Sequence, residues 1–310
     1  MVSPVDEIII ELGHCEQPPL YSKLAELSNL TIAAMELFKR SWATIDTERR
    51  RQVIARLVEL TEDNLELNFD AIFKHCLQDQ DAEVQNKAIE GLWENEEASL
   101  INPLVDLLDP ENAEKVQVTA ATALGKFAML AEHKKLRDCH RDKVQEALLS
   151  VINDKNRTLE LRRRALEAVA PLSLPQVNKT ILAAYQSDDS RLKVSAIYAM
   201  GQNCSPSWLP VLLKELENTE AAVRYEAACS CGELEEEEAV PHLINLVKDT
   251  DIDIQMAAIR ALAKIGGTQA EEFLELCLEN ADEAIRQAAE QALSGLEQKE
   301  DMLPFPFQST

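Results

Sequence analysis

The 310-residue chain has a net charge of −24 and contains few aromatic residues and few glycines. This acidic charge disfavours nucleic acids and anionic membranes as partners, and the composition argues against β-sandwiches and barrels, which need more aromatic residues and turn glycines. The 7 cysteines do not form a disulfide framework in a chain of this length, and no run of about 18 apolar residues is present to cross a membrane, so we expect a cytoplasmic protein with reduced thiols.

The N-terminal residues 1–19 are expected to form an irregular segment that precedes the fold. The chain starts with MVSPVDE, which lacks the basic stretch and apolar core of a signal peptide. Residues 20–46 are expected to contain the first helix of a weak opening repeat.

A repeated helical pattern begins near residue 49. An apolar residue is followed four positions later by alanine and eight positions later by a further apolar residue. A weak copy starts at Arg49, and clearer copies start at Val84 and Val116. The later copies lie 31 residues apart and start at Leu161, Leu192, Val223, Ile254 and Ile285. The step of 45 residues before Leu161 indicates an insertion at about residues 129–141.

A second apolar pattern lies between these copies. Ile181 and Tyr185 are one helical turn apart, and the same two positions recur every 31 residues at Leu212 and Leu216, Leu243 and Val247, and Leu274 and Leu278. Each repeat therefore contains two helices, A and then B. Because one pair cannot bury its apolar face alone, we predict an all-α, right-handed α-solenoid of about eight helical pairs over residues 20–298.

Particular residues mark the predicted helix boundaries. Pro210 and Pro241 lie near the start of helix A, where a missing N–H is tolerated. The predicted ends of helix B are Gly125, Gly201 and Gly232. Acidic residues are predicted to cap the start of helix B at Asp81, Asp189, Glu220, Asp251 and Asp282.

Two neighbouring segments show the repeat unit most clearly: DDSRLKVSAIYAMGQNCSPSWLPVLLKEL and TEAAVRYEAACSCGELEEEEAVPHLINLVKD. They resemble HEAT-like repeats of the phycobilisome-lyase type, and the resemblance covers about residues 46–298. It implies the solenoid fold. Because these repeats occur in scaffolds, lyase subunits and a hydroxylase, the resemblance leaves the function open.

A basic or amide residue follows the first apolar residue of helix B in seven repeats. We expect these side chains to form a row of contacts between repeats, together with the capping acids, rather than a ligand site. They are Gln85, Gln117, Arg162, Lys193, Arg224, Gln255 and Arg286.

Deoxyhypusine hydroxylase resembles this chain in repeat type, and its di-iron site is built from His-Glu dipeptides on several repeats. Here the histidines are followed by Cys, Cys, Lys, Arg and Leu, at His14, His75, His133, His140 and His242. The pattern of metal ligands is therefore missing, and we expect neither a metal nor another cofactor. No nucleophile elbow or P-loop occurs, so the sequence predicts that the chain is not an enzyme.

A candidate binding surface, the central stripe, is predicted on helix B of three consecutive repeats. Positions two and six residues after the first apolar residue point away from the core and toward the concave face of the solenoid. They are Val194, Tyr198, Tyr225, Cys229, Met256 and Arg260. Exposed tyrosine, methionine and arginine are enriched at interfaces, so this stripe is predicted to bind an apolar or helical peptide. The alternative is that these residues pack between neighbouring B helices.

A second candidate, the basic patch, lies at the predicted insertion and the start of the next helix B. Residues 134–164 contain 10 Lys or Arg and 5 acidic residues in an otherwise acidic chain. The two interpretations are a salt-bridged loop and a docking site for an acidic or phosphorylated segment. The patch consists of Lys134, Lys135, Arg137, Arg141, Arg162, Arg163 and Arg164.

Residues 299–310 are expected to form an extended tail, with Phe305 and Phe307, that either covers the last repeat or acts as a docking motif. The leading functional prediction is a monomeric, non-catalytic protein–protein interaction scaffold or adaptor that binds a partner protein or peptide. The alternative is a lyase-like enzyme, or an enzyme subunit, of the HEAT-like repeat class.

Overall fold

The computed structural model describes residues 4–13, 21–279 and 282–302. Every regular element in these ranges is helical. Contacts divide the chain into two compact units, Met1–Ala168 and Val169–Thr310. None of the described helices combines the length and the apolar character needed to span a bilayer.

The first unit begins with two short helices, followed by helical pairs in which helix A precedes helix B. The short helices are α1 (Pro4–Glu11) and α2 (Tyr21–Ala25). The pairs are α3 (Ile32–Trp42) with α4 (Thr47–Asp63), α5 (Asp70–Cys76) with α6 (Ala82–Gly91), α7 (Ile101–Asp106) with α8 (Glu114–Glu132), and α9 (Asp138–Asn153) with α10 (Leu159–Val169), which ends at the boundary.

The second unit continues the same alternation. Its pairs are α11 (Pro175–Tyr185) with α12 (Ser190–Asn203), α13 (Leu209–Glu215) with α14 (Ala221–Leu234), α15 (Val240–Leu246) with α16 (Ile252–Ile265), and α17 (Thr268–Cys277) with α18 (Glu283–Met302). Short 3₁₀ turns lead into α7, α13 and α15. The described ranges therefore contain eight A/B pairs, which confirms the predicted all-α solenoid of about eight repeats.

The core follows the repeated pattern. The residue four positions after the start of each copy is fully buried, as Val53 in the weak first copy and as alanine in the others: Ala88, Ala120, Ala165, Ala196, Ala227, Ala258 and Ala289. A small side chain at this position lets B helices lie close together, so stacking of pairs buries an apolar core within each unit.

The predicted capping of helix B by acidic residues is confirmed at the aspartates but not at Glu220. Asp81, Asp189 and Asp251 accept backbone N–H groups in the first turns of α6, α12 and α16, and Asp282 accepts from the N–H of Ala284 at 2.8 Å. Glu220 occupies the same place before α14 but makes no side-chain cap. The difference agrees with the preference of helix N-termini for the shorter acid.

The prediction that Gly125, Gly201 and Gly232 end helix B is wrong. Each lies inside its helix, where it permits close approach of the next helix. A Cβ atom at Gly201 would lie 2.9 Å from Cα of Ser230, and one at Gly232 would lie 3.0 Å from Cα of Ala261. These glycines therefore set the spacing between neighbouring B helices.

Three predicted segments differ from the structure. Residues 4–11 form α1, with Ile9 fully buried, so this part of the N-terminal segment is not irregular. The extra residues near 129–141 mainly lengthen helices, since α8 has 19 residues and α9 has 16. The last helix continues through Met302, so residues 299–302 are helical. Phe305 and Phe307 lie outside the described residues.

Candidate functional site

The central stripe lies on α12, α14 and α16, which pack side by side within the second unit. On α12 the repeat positions Leu192, Ala196 and Met200 are buried, and Val194 and Tyr198 lie on another face of the helix. Tyr198 is 37% exposed. Arg260 is exposed, and Val194, Tyr225, Cys229 and Met256 are partly exposed. Packing between B helices therefore does not bury the stripe, and its six side chains remain reachable from solvent.

A shallow pocket of about 440 Å³ lies between α14 and α16, and two of the six stripe residues line it. Tyr225 and Arg260 line it, together with Asp251 and Asp253 from the start of α16. Tyr225 is hydrogen-bonded to Cys229 one turn further along α14, and the charge of Arg260 acts on both side chains. The pocket thus combines an aromatic ring, a cation and two carboxylates, a set that suits polar and apolar contacts with a peptide.

Cys229 is a poor nucleophile in this setting. Burial raises the pKa of the Cys229 thiol, as does the charge of Glu226, and the opposing effects of the Tyr225 hydrogen bond and Arg260 do not reverse the shift. The neighbouring Cys229 in turn raises the pKa of Tyr225. Both groups therefore stay protonated at neutral pH. Because a thiolate is needed for attack, the protonated Cys229 is a poor nucleophile. The pocket is suited to holding a ligand rather than reacting with it.

The basic patch is largely neutralised by local partners. Arg141 pairs with Asp138 and Asp142, and Arg163 and Arg164 both pair with Glu160 and Glu167. Arg162 donates from Nε to the carbonyl of Ile152 at 2.9 Å. Within the described ranges no ion pair involves Lys134, Lys135 or Arg137, and all three are exposed. The candidate docking patch is therefore reduced to three cations in the loop between α8 and α9.

The row of basic and amide residues after the first apolar position makes structural contacts. Arg224 donates to both carboxylate oxygens of Asp249, at 2.7 and 3.0 Å, and to the carbonyl of Asn218 at 2.9 Å. It thus links its own A/B turn to the turn of the next repeat. Gln85 and Gln117 donate to carbonyls of their own A/B turns.

One residue of this row, Lys193, belongs to a buried polar cluster that the sequence did not predict. Glu215, only 2% exposed, accepts from Tyr185 at 2.5 Å, from Asn218 at 2.6 Å and from Lys193 at 3.0 Å. Burial raises the pKa of Glu215, but these three hydrogen bonds outweigh it and hold the pKa below the usual value. Burial and Glu215 raise the pKa of Tyr185 to about 12. The available signal was Tyr185, a polar-tipped residue in an otherwise aliphatic series.

The donor set does not fit a di-iron centre. In the described part of the chain no three His, Cys, Asp or Glu side chains are grouped so that they could hold a metal ion. His75 is half-buried, and burial lowers its pKa. The residue directly after it is Cys76, so it does not form a His-Glu dipeptide.

Comparisons with known proteins define the class of the fold. Residues 209–294 match the family described as "HEAT repeats". The chain is also similar to the solved Kap95:Nup1 complex, with a TM-score of 0.54 and 14% identity, covering 95% of this chain and 46% of that one. The fold is therefore an α-solenoid that contains HEAT repeats.

The curated relatives are enzymes. Deoxyhypusine hydroxylase of Candida albicans is 28% identical over 119 residues, which is 38% of this chain and 37% of that protein. Deoxyhypusine hydroxylase of Drosophila melanogaster is 30% identical over 122 residues, which is 39% of this chain and 40% of that protein. The chain spans less than half the length of the curated relatives that it matches. A structure of human deoxyhypusine hydroxylase in complex with glycerol is 17% identical, with a TM-score of 0.36, and the match covers 95% of this chain and 97% of that one.

These relatives correct the functional prediction. The leading functional prediction was a non-catalytic scaffold or adaptor. This prediction is wrong, because the curated proteins similar to this chain are named as hydroxylases. The prediction that the chain is not an enzyme is wrong for the same reason. The alternative, a lyase-like enzyme or enzyme subunit of the HEAT-like repeat class, agrees better with the relatives in naming an enzyme, although these relatives are named as hydroxylases.

Proposed function

We propose that this chain is an enzyme subunit of the HEAT-repeat class that holds a polypeptide substrate on the central stripe. The observation that carries the proposal is the open pocket lined by Tyr225 of α14 and by Asp253 and Arg260 of α16. Tyr198 on the adjacent α12 extends the accessible surface. The similarity to deoxyhypusine hydroxylases supports an enzymatic role and supplies the first substrate to test, a polypeptide that contains deoxyhypusine.

As an enzyme subunit, the chain would obtain its reactive group from another subunit. Two observations support this role: burial raises the pKa of the Cys229 thiol, and within the described ranges no three His, Cys, Asp or Glu side chains are grouped so that they could hold a metal ion. The resemblance of the repeats to the phycobilisome-lyase type is compatible with the same role, since that type includes lyase subunits. We place the subunit in the cytoplasm, because the six described cysteines are all free thiols.

Binding of a labelled deoxyhypusine peptide tests the proposal. Fluorescence anisotropy should show saturable binding to the wild-type chain, and Tyr198→Ala combined with Tyr225→Ala should weaken it. Lys134→Ala combined with Lys135→Ala is the matched control, because it removes two exposed side chains from the competing basic patch, and it should bind as the wild type does. If the control weakens binding and the tyrosine variant does not, the basic patch holds the substrate instead.

Mass spectrometry of the same peptide tests whether the reactive group comes from another subunit. After incubation with the chain and ferrous iron alone, the peptide mass should be unchanged. Gain of one oxygen atom under these conditions would contradict the proposal, because it would make this chain a complete hydroxylase.

A further inference from the structure

The first unit contains a large cavity, about 760 Å³, at the C-terminal ends of α4 and α6. It arises from a difference in helix length. Helix α6 has only 10 residues, whereas the B helices on either side, α4 and α8, have 17 and 19. At 3.6 residues per turn, α6 ends roughly two turns early. The last turn of α4, with Thr61 and Glu62, therefore borders the cavity instead of a neighbouring helix.

The last residue of α6, Gly91, packs closely against a residue of the core. A Cβ atom at Gly91 would lie only 2.5 Å from the ring of Phe73, which is fully buried. The turn that follows is held by Lys126 of α8, which donates from Nζ to the carbonyls of Trp93 and, at 2.7 Å, Asn95. This turn places Trp93 at the cavity with its side chain 54% exposed. The aromatic ring is thus presented by an ordered turn.

The cavity lining combines exposed apolar groups with carboxylates. Leu65, from the loop after α4, is 91% exposed and faces the cavity together with Trp93. The lining also contains four acidic residues and no Lys or Arg: Glu62, Asp70, Glu90 and Glu94. Glu90 pairs with Lys87, and Asp70 accepts from Asn95. Within the described ranges no ion pair involves Glu62 or Glu94, and both are exposed.

We propose that this cavity binds a basic peptide segment of a partner protein. Lys126 already places its Nζ atom 5.9 Å from the centroid of the Trp93 ring. An arginine or lysine of the peptide lies against the exposed part of this ring, and its charged end reaches Glu62 or Glu94. An aliphatic neighbour in the peptide covers Leu65. Charge complementarity selects this occupant, because an acidic peptide would meet four carboxylates and a purely apolar one would offer no partner to Glu62 and Glu94. This proposal does not depend on the function proposed for the central stripe, which lies in the other unit.

Tryptophan fluorescence tests the proposal directly. The chain has 3 tryptophans, and Trp42 and Trp208 are only 3% and 7% exposed, so a ligand at the cavity should chiefly change the emission of Trp93. The probe is a capped peptide of alternating leucine and arginine, titrated into the full chain at low ionic strength. We expect a saturable change in emission that weakens as salt is added.

Charge variants provide the matched comparison. Each of Glu62→Gln and Glu94→Gln should weaken binding about two- to fivefold, and the double variant about tenfold. Glu111→Gln removes the same charge from an exposed residue in the loop between α7 and α8, away from the cavity lining, and should bind as the wild type does. The Tyr198→Ala/Tyr225→Ala variant should also bind this probe normally, which separates this site from the central stripe.

Three outcomes would overturn the proposal. The first is no saturable change in emission at low salt. The second is equal binding of a peptide in which glutamate replaces arginine, which would make the cavity an apolar surface without charge selectivity. The third is binding of a small alkyl diamine as tight as that of the peptide, which would make the ligand a small cation. Trp93→Phe removes the fluorescence signal but keeps an aromatic ring, so calorimetry on this variant should still detect the peptide.

Discussion

Replacing Gly201 with alanine tests the close approach of α12 and α14, which sets the geometry of the central stripe. The added Cβ atom would lie 2.9 Å from both Cα and Cβ of Ser230 and 2.7 Å from its Oγ. Ser230 is 1% exposed and donates from Oγ to the carbonyl of Ile197 at 2.9 Å. Because the overlap includes a backbone atom, rotation of the serine side chain cannot relieve it, and the two helices must move apart.

The magnitude follows from three opposing effects. Overpacking by one methyl group costs about 1–3 kcal/mol, and loss of a buried hydrogen bond costs about 1 kcal/mol more. The higher helix propensity of alanine offsets about 1 kcal/mol of this destabilisation. The Gly201→Ala variant should therefore be about 1–3 kcal/mol less stable than the wild type. Gly295→Ala is the control, because Gly295 lies in α18 with nothing within 4 Å of an added Cβ, and it should be as stable as the wild type or slightly more stable.

Urea unfolding followed by circular dichroism measures both variants. We expect a lower midpoint for Gly201→Ala with an unchanged slope, and an equal or higher midpoint for Gly295→Ala. Hydrogen exchange should locate the loss of protection in α12 and α14. A Gly201→Ala chain that unfolds at the wild-type midpoint would refute the close approach of these helices.

Three further predictions concern the pH dependence, a helix cap and thiol reactivity. Because the fold lowers the pKa of Glu215, its contribution is present above the carboxyl pKa of the unfolded chain and is lost as the pH falls; Glu215→Gln should cost about 2 kcal/mol at about pH 7 and little in acid, as measured by urea unfolding. Asp251→Ala removes a side-chain cap and should cost about 1 kcal/mol, whereas Glu220→Ala, which removes no cap bond, should cost less in the same assay. Iodoacetamide should alkylate Cys229 more slowly than the exposed Cys139 at neutral pH, because burial raises the pKa of Cys229; peptide mass spectrometry that finds equal rates would contradict this.

The fold could be predicted because its determinants are local and repeated. A buried alanine that recurs every 31 residues in the last five copies, with a second apolar series between them, defines two helices per repeat, and the earlier copies extend the pattern to the eight observed pairs. The role of Gly201 could not be predicted, because a glycine near a helix end has the same sequence signal whether it terminates the helix or faces another one. Only the contact with Ser230, which is distant in sequence, distinguishes the two.

The sites were predictable to different degrees. The stripe followed from helical periodicity, which places Tyr198 and Tyr225 away from the buried face. The cavity beside Trp93 could not be predicted, because it depends on where α6 ends relative to its neighbours. Helix α6 ends at Gly91, where an added Cβ atom would overlap the ring of Phe73. The prediction that the chain is not an enzyme failed for another reason: it rested on a missing His-Glu ligand pattern and on missing catalytic motifs, and such motifs reveal only chemistry that is carried by recognisable local sequence patterns.

The most direct test of the proposed function is the affinity of the wild-type chain and of the Tyr198→Ala/Tyr225→Ala variant for the labelled deoxyhypusine peptide. Aromatic residues at the centre of an interface each contribute more than about 1 kcal/mol, so the double variant should bind at least about tenfold more weakly while unfolding at the wild-type urea concentration. Equal affinity of the two chains, or no binding by either, would contradict a role of the central stripe in holding this substrate.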